Sequence, residues 1–520
     1  MILIWGIDSA DWSVLNPLME RGELPALAQL VDSGASGTLR STIPAYTGIA
    51  LPTILTGKNP GTTGMVGFEK VDGQLNDFSD VDSETFWETA GRQGKETCIV
   101  NVRTTYPPRE VENGWLVSGD LYTPPDADGF VSPPDLLDEF PELASFHASL
   151  GRLDELQREG ATREFAETAV EATRTRHTQF EALVAEKQPD MAMFWIGNAD
   201  KLQHLAWGEE VVEKYYRAID ELLQQTLGRF DPETTYVLSD HGHEAVYERE
   251  LHLNTWLAEE GYLQTTTLAP LSKRIGPLVS KFGPEWLKES GRKLSDALKR
   301  TGSEQATPSS QEEGNQQFGQ GRNVTIPGID YGESKAVLAN EWGIDVLADG
   351  DERTGIVDEI VRKLRRLQFQ GENAIRFAAP REEVYTEPYR EAFPDIIVLP
   401  SRNFHANHTL ANTITSKTGG STHTAGYHIY DPDGIFVAVG DGIDVESDVE
   451  FVAEEFGPTV LRALGVAIPA DVDGKPVDRF VPSERRGQAV ETITAVRRGA
   501  DRSGDVDGRV EQRLEDMGYL

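Results

Sequence analysis

Carboxylates directly follow two short apolar runs in this chain of 520 residues, where they could bind a cation. Asp8 comes after the run Ile2–Ile7, and Asp240 and His241 come just after the run 235–238. A carboxylate at the end of a buried strand costs free energy unless it is paired or binds a metal ion. A helix cap or a local hydrogen bond is the simpler interpretation of Asp8 alone, and Asp-His alone is a common dipeptide.

A second pair of candidate ligands has the spacing Asp-x-x-x-His. Asp200 and His204 are four residues apart in the segment ADKLQHLAW. On a helix both side chains would face the same side, a geometry that suits two ligands of one metal ion. An ordinary pair on the surface of a helix has the same spacing, so this pattern indicates a metal site only together with other candidate ligands.

A hydroxyl and two late histidines complete the set. Thr47 lies in a loop rich in Thr, Gly and Pro, 41–68, which leads into a predicted helix start. A threonine hydroxyl becomes a useful nucleophile when a metal ion lowers its pKa, although a helix cap or a turn uses the same residue type. His423 and His428 precede the apolar run 435–439.

The elements that must position these residues alternate between strands and helices. Short apolar runs predict strands at 2–7, 190–196, 235–238, 396–399 and 435–439, and helical patterns cover 161–186 and 210–230. This alternation predicts an α/β fold with a central, mostly parallel β-sheet flanked by helices. Ligands of such sheets bind beyond the carboxyl ends of the strands, and the polar clusters all fall at that edge.

Composition narrows the functional classes. The net charge is −37, from 86 acidic and 49 basic residues, which argues against nonspecific nucleic-acid binding. The single cysteine, Cys98, excludes an intramolecular disulfide and a thiolate zinc cluster. No apolar run reaches the length of a membrane span, and the first residues do not form a standard signal peptide. We therefore expect a cytoplasmic protein; the acidic, lysine-poor composition resembles that of proteins from a high-salt cytoplasm.

Two segments depart from the α/β pattern. Residues 270–301 carry eight basic and three acidic side chains, with apolar residues near helical spacing, and 302–321 are rich in Gln, Gly and Ser. We interpret 266–325 as an insertion made of a basic amphipathic lid and a flexible loop. The polar tail 481–520 ends in a predicted helix with Val506, Val510, Leu514 and Met517 on one face.

Together, the Asp, His and Thr residues form a set that suits two divalent ions at one edge of the sheet. Oxygen and imidazole donors without sulfur favour Zn²⁺ or Mn²⁺.

In this order, the motifs resemble the alkaline phosphatase superfamily, and most closely its type I phosphodiesterase/nucleotide pyrophosphatase branch. The loop around Thr47, with TGKNPG and GMVGF after it, resembles the nucleophile loop of that family, and ADKLQHLAW resembles its second metal motif. NVRTTYPP and HLNTWLAEEGYL are similar to segments of prokaryotic members. The similarity covers most of residues 1–445 and implies an alkaline-phosphatase-like catalytic domain over 1–480.

The resemblance also implies a role for each residue. One metal ion would be held by Asp8, Asp240 and His241 together with Thr47. The other would be held by Asp200, His204 and a late histidine. His428, in GYHIYDPDGIF, is favoured for that place over His423, which matches the longer spacing of the nucleotide pyrophosphatases. Thr47 would attack phosphorus and form a phosphothreonine intermediate. Gly48-Ile49-Ala50-Leu51 departs from the residues that relatives usually have after the nucleophile.

The implied activity is hydrolysis of phosphate diester or pyrophosphate bonds in a small phosphate ester. A phosphomonoesterase or phosphotransferase of the same superfamily and a non-catalytic metal-binding member are the alternatives. A sulfatase is not expected, because it would need a Cys or Ser in C/S-x-P-x-R, and Cys98, in ETCIVNV, does not fit this motif. The sequence leaves open whether the substrate is nucleotide- or lipid-linked, and it leaves the oligomeric state open.

Overall fold

A computed structural model describes residues 1–70, 74–245, 247–266, 326–418, 425–497 and 507–516. In this part of the chain, the apolar runs at 2–7, 191–196 and 234–238 lie side by side as strands that are buried at every position. Such runs are typical of parallel strands covered on both faces.

The main sheet has nine strands in the order β22-β2-β21-β7-β1-β6-β3-β4-β5. They are β1 (Ile2–Ile7), β2 (Ala35–Arg40), β3 (Thr97–Val102), β4 (Gly114–Ser118), β5 (Val131–Ser132), β6 (Met191–Ile196), β7 (Thr234–Leu238), β21 (Asp433–Gly440) and β22 (Glu446–Val452). Strands β7, β1, β6, β3 and β4 are parallel neighbours, whereas β21 runs antiparallel to β7. The predicted mostly parallel sheet is confirmed.

Helices cover both faces of this sheet. Numbered along the chain, the described helices are α1 (Trp12–Glu20), α2 (Pro25–Ser33), α3 (Thr47–Thr56), α4 (Pro60–Thr63), α5 (Phe86–Arg92), α6 (Leu136–Glu139), α7 (Leu150–Glu159), α8 (Thr162–Lys187), α9 (Asn198–Ala206), α10 (Glu210–Phe230), α11 (Leu253–Glu259), α12 (Gly350–Leu364), α13 (Arg381–Val384), α14 (Ala453–Leu464) and α15 (Gly508–Asp516). Of these, α11 and α12 pack in a separate core, away from the main sheet. One apolar core packs α1, α2 and α7 to α10 on the sheet, and a second core packs α3, α5 and α14 on its opposite face.

A second, antiparallel sheet with its own core lies after the segment 267–325. Its strands, in the order β12-β13-β17-β16, are β12 (Ala336–Asn340), β13 (Gly343–Val346), β16 (Ile375–Pro380) and β17 (Ile396–Pro400). The run at 396–399 therefore does not belong to the main sheet, and that part of the prediction was wrong. A continuous apolar run indicates a strand buried on both faces, but it does not say which sheet the strand joins.

Short strands and 3-10 turns complete the described elements. The strands are β8 (Glu244–Ala245), β9 (Arg249–His252), β10 (Gln264–Thr265), β11 (Ile329–Asp330), β14 (Gln368–Phe369), β15 (Glu372–Asn373), β18 (Phe404–Asn407), β19 (Thr415–Lys417), β20 (Gly426–Tyr427), β23 (Ile468–Pro469) and β24 (Thr492–Ile493). The 3-10 turns are Phe78–Asp80, Pro141–Ser145, Arg390–Ala392, Asp478–Phe480 and Ser483–Arg485.

The tail returns to the main domain. Val510 and Leu514 of α15 are fully buried against Phe68, Leu121 and Tyr122, as expected for a terminal helix that docks by one apolar face. Val506 and Met517 lie outside the described residues, as does the predicted lid from residue 267 to 325. Across the described ranges, no helix is both long enough and apolar enough to cross a membrane.

Candidate active site

Thr47 is the first residue of helix α3 and is fully buried. Its Oγ1 lies 3.1 Å from Nε2 of His241. The first amides of a helix attract anions because their N–H groups have no partner within the helix. The hydroxyl of Thr47 therefore lies next to an imidazole and at a helix start that attracts anions.

Gly48 is required next to Thr47 by packing. A Cβ at this position would lie 2.9 Å from the Phe68 ring and 3.0 Å from the Tyr122 hydroxyl. Tyr46 also contacts Phe68 edge to face, with ring centroids 5.6 Å apart. Phe68 and Tyr122 therefore leave too little room for an unstrained side chain at position 48, directly after Thr47.

The first group of candidate ligands lies where β1 and β7 end. The two strands pair in parallel, with Gly6 opposite Leu238, so Asp8 and Asp240 lie close together. His241 Nε2 is 3.3 Å from Asp240 Oδ2 and 4.0 Å from Asp8 Oδ1. The Nδ1–H of His241 donates to the carbonyl of Gly242 at 3.0 Å, which leaves the Nε2 lone pair facing the carboxylates. Asp8 Oδ1 and Asp240 Oδ2 are buried oxygens without a hydrogen bond.

The second group lies on α9 and in the loop after β20. Asp200 and His204 are one helical turn apart, and Asp200 Oδ1 lies 3.3 Å from His204 Nε2. His428 Nε2 lies 3.7 Å from the same oxygen. The Nδ1–H groups of His204 and His428 donate to the backbone oxygens of Gly426 at 3.1 Å and Ala45 at 2.8 Å.

The two groups are contiguous. The rings of His241 and His428 stack with centroids 3.9 Å apart. The structure thus brings together the seven predicted residues at the carboxyl edge of the sheet: Asp8, Thr47, Asp200, His204, Asp240, His241 and His428. The alternative ligand His423 lies outside the described residues.

Sequence reasoning missed Arg103, which follows strand β3 at the same edge. The side chain of Arg103 is fully buried, and its Nη1 lies 3.2 Å from Asp8 Oδ1 and 2.9 Å from Asp200 Oδ2. One guanidinium therefore bridges a carboxylate of each group. The signal was present, because Arg103 belongs to the NVRTTYPP segment and directly follows the mostly apolar residues 98–102.

Arg103 also begins a buried chain of ion pairs that leads to the tail. Arg103 Nε lies 3.3 Å from Asp120 Oδ1, and Lys201 Nζ lies 3.2 Å from Asp120 Oδ2 and 3.9 Å from Asp154. Arg513 of α15 pairs with Asp154 at 2.9 Å and donates to the backbone of residues 120, 121 and 123. Contacts between residues so distant in sequence have no local sequence signal.

Charge in the site is poorly compensated by the protein itself. Burial raises the pKa of Asp8 well above its ordinary value; Arg103 opposes this rise and Asp240 adds to it. Burial likewise raises the pKa of Asp240, against the effect of His241. For Asp200, burial acts in the same direction, but His204 and His428 outweigh it and hold the pKa well below the usual range.

Burial, followed by the nearby His241, lowers the pKa of His428 well below its ordinary value. A neutral imidazole is the form that binds a metal ion, and a nearby cation favours ionised carboxylates. The buried carboxylates of Asp8, Asp200 and Asp240, next to imidazole lone pairs, form a donor set that fits divalent cations.

A model of the family "Type I phosphodiesterase / nucleotide pyrophosphatase" matches residues 2–431, which is most of the chain. The chain belongs to this family. It is therefore a hydrolytic enzyme of the phosphodiesterase/pyrophosphatase type, as the ordered motifs predicted. No curated protein sequence matches the chain.

The fold of this chain agrees with that of two solved structures that have TM-scores of 0.50, and a third similar chain has a lower score. Phosphonoacetate hydrolase from Sinorhizobium meliloti, in complex with phosphonoacetate, has 14% identity and a TM-score of 0.50, over 88% of this chain and 93% of that one. A mutant of the alkaline phosphatase PafA has 13% identity and a TM-score of 0.50, over 92% and 98%. Human ectonucleotide pyrophosphatase/phosphodiesterase 5 has 13% identity and a TM-score of 0.46, over 90% and 95%.

Proposed function

We propose that this family member is a two-metal-dependent hydrolase of phosphate diester or pyrophosphate bonds, with Thr47 as the nucleophile. The observation that carries the proposal is the position of Thr47 Oγ1, 3.1 Å from His241 Nε2 at the start of α3. In a tetrahedral site with metal–ligand distances near 2 Å, two ligands of one ion are separated by about 3.3 Å. The spacing therefore suits a hydroxyl and an imidazole that share one cation.

We divide the residues between the ions as the family resemblance implies. Asp8, Asp240, His241 and Thr47 would hold one ion, and Asp200, His204 and His428 would hold the other. Zn²⁺ or Mn²⁺ suits carboxylate and imidazole donors without a thiolate. When bound, such ions supply Lewis acidity, which lowers the pKa of a bound hydroxyl and stabilises charge on the attacking and leaving oxygens.

The chain's own residues then account for the reaction in two displacements. Oγ1 of Thr47 attacks phosphorus, the bond to the leaving alcohol or phosphate breaks, and a phosphothreonine forms. Water hydrolyses this ester in the second step and restores the hydroxyl. The amides at the start of α3 face the phosphoryl oxygens and favour their negative charge throughout.

Arg103 is proposed to contact the phosphoryl group. Without bound cations its guanidinium neutralises Asp8 and Asp200, at 3.2 and 2.9 Å. When divalent ions neutralise the same carboxylates, the donors of Arg103 are available to an anionic substrate, for which a guanidinium is well suited.

Arg103 also favours a second candidate, a phosphomonoesterase or phosphotransferase. A monoester carries more negative charge than a diester, and a buried guanidinium in the site compensates part of it. Hydrolysis and transfer share the first displacement and differ in whether water or an alcohol accepts the phosphoryl group.

The test compares Thr47→Ala with Thr53→Ala. Thr53 is a buried threonine of the same helix, and its hydroxyl donates to the backbone of Ile49 at 3.1 Å, so Thr53→Ala controls for the loss of a buried hydroxyl. The proteins are purified in high salt, their bound metal is counted, and bis-p-nitrophenyl phosphate is compared with p-nitrophenyl phosphate. We expect two ions per chain, preference for the diester, and a Thr47→Ala variant that is inactive while Thr53→Ala retains activity.

Preference for the monoester would move the assignment to the second candidate. If Thr47→Ala retains the activity of Thr53→Ala, Thr47 is not the nucleophile. A wild-type chain that binds no metal and hydrolyses neither ester would favour a non-catalytic member.

A further inference from the structure

The second histidine of the SDHGHEA segment, His243, has no part in the ligand groups described above. Its side chain is 1% exposed and lies beside the second group: its ring centroid is 4.9 Å from that of His204 and 5.7 Å from that of His428. One ring nitrogen of His243 lies within 4.8 Å of ligand atoms of both Asp200 and His204.

The proton on the His243 ring is fixed by Ser9. The Ser9 hydroxyl lies 3.1 Å from the carbonyl oxygen of Gly242 and 2.7 Å from His243 Nδ1. A carbonyl oxygen only accepts, so the single hydroxyl proton of Ser9 is donated to Gly242. In this arrangement Oγ of Ser9 accepts the Nδ1–H of His243, and Nε2 of the neutral ring carries a lone pair.

That lone pair has no hydrogen-bond donor among the described residues, although Nε2 is buried. The ring is also held in place: Trp207 stacks on it with centroids 5.0 Å apart, and a Cβ at position 426 would come 2.4 Å from Nε2. A buried acceptor without a donor costs free energy, and packing holds the His243 ring in the orientation that keeps Nε2 buried.

His243 shares this arrangement with the proposed ligands. His204 and His428 each donate Nδ1–H to an oxygen and direct Nε2 toward Asp200. Metal-binding histidines usually have this second contact, which fixes the tautomer and the ring orientation.

We propose that Nε2 of His243 is a ligand of the ion held by Asp200, His204 and His428. This inference rests on the proposed function, because it adds a fourth protein ligand to one of the two proposed sites. A site with four protein ligands retains its ion more firmly than one that depends on Thr47 for its fourth, and it accepts a substrate oxygen by expanding to five-coordinate geometry.

The test measures Zn²⁺ affinity of the full chain by competition with a chromophoric chelator, in the absence of substrate. His243→Ala and His243→Asn are compared with His147→Ala, which removes a buried imidazole that lies between Phe130 and Phe146. We expect two sites in the wild type, a loss of more than 100-fold in affinity at one site in both His243 variants, and no change in His147→Ala. A crystal structure of the Zn²⁺-loaded chain should place Nε2 of His243 about 2.0–2.1 Å from an ion.

A loss of less than tenfold in the folded His243→Asn variant, or a Zn²⁺-loaded structure without this bond, would overturn the inference and leave the proposed function intact. A wild-type chain that binds no Zn²⁺ would overturn both. Circular dichroism of each variant shows whether it is folded.

Discussion

Replacing Arg103 by glutamine should lower the stability of the metal-free protein and raise its affinity for metal ions. Arg103 contacts three buried carboxylates, and only Asp120 keeps a second cation, Lys201 at 3.2 Å. Asp200 keeps its contacts with His204 and His428. Asp8 is therefore the carboxylate that Arg103→Gln leaves without a compensating charge.

The magnitude follows from that count. Removing one partner of a buried ion pair costs about 3–5 kcal/mol when the other charge stays uncompensated. This is an upper bound here, because burial already raises the pKa of Asp8 and proton uptake lowers the cost. A divalent ion beside Asp8 restores the compensation, so most of this electrostatic cost disappears when metal binds. Lost packing and hydrogen bonds of the guanidinium persist in both states. If about half of the cost is recovered, metal affinity rises roughly 10- to 100-fold, since 1.4 kcal/mol corresponds to a factor of ten.

The assay is thermal unfolding of the metal-free and Zn²⁺-loaded proteins, together with a Zn²⁺ competition titration. Arg513→Gln is the matched control, because Arg513 is also buried and paired, but its partner Asp154 is not a proposed ligand. Both variants should lower the melting temperature without metal. Only in Arg103→Gln should Zn²⁺ raise the melting temperature by more than it does in the wild type. Equal or weaker Zn²⁺ affinity in Arg103→Gln would refute the electrostatic argument.

Three further predictions concern residues around the site. Gly48→Ala should cost about 1–3 kcal/mol of stability, measured by urea unfolding, and should lower activity, because its Cβ would meet Phe68 and Tyr122; unchanged stability would contradict this packing. Trp195→Phe removes the N–H that donates to Asp8 Oδ2 at 3.0 Å. It should weaken the binding of one Zn²⁺ by about 10- to 100-fold in a competition titration. An unchanged affinity would show that this hydrogen bond does not orient Asp8. Removing metal with a chelator should abolish turnover and lower the melting temperature, and added Zn²⁺ or Mn²⁺ should restore both; activity that persists in fully metal-free protein would contradict the two-metal proposal.

The sequence was most informative about features that depend on a single short segment of the chain. The fully apolar run Ile2–Ile7 predicts a central parallel strand, and parallel strands bring Asp8 and Asp240 to the same edge without any knowledge of loops. The spacing of Asp200 and His204 likewise determines their common helical face.

Other features depend on how distant segments meet. The strand Ile396–Pro400 is as apolar as the strands of the main sheet, yet it pairs antiparallel with β13 and β16. The choice between His428 and His423 depends on the path of a loop, and the described structure places His428 beside Asp200. The bridging position of Arg103 and the orientation of His243 arise only when three or more segments pack together.

The formal charge of the site gives a sharper criterion for its substrate. Three carboxylates and the Arg103 guanidinium leave a charge of −2, and two divalent ions would change this to +2. A diester with an ionised Thr47 neutralises that charge, and so does a dianionic monoester with a protonated Thr47. Without the Arg103 charge, the site with two divalent ions has a charge of +1. A diester, with one negative charge, neutralises it while Thr47 is protonated. A dianionic monoester leaves the site with an excess negative charge. Since excess charge is costly in a buried site, Arg103→Gln should reduce kcat/KM for p-nitrophenyl phosphate more than for bis-p-nitrophenyl phosphate. An equal loss for both esters would mean that Arg103 contacts an oxygen that the two substrates share, and that it does not select between them by charge.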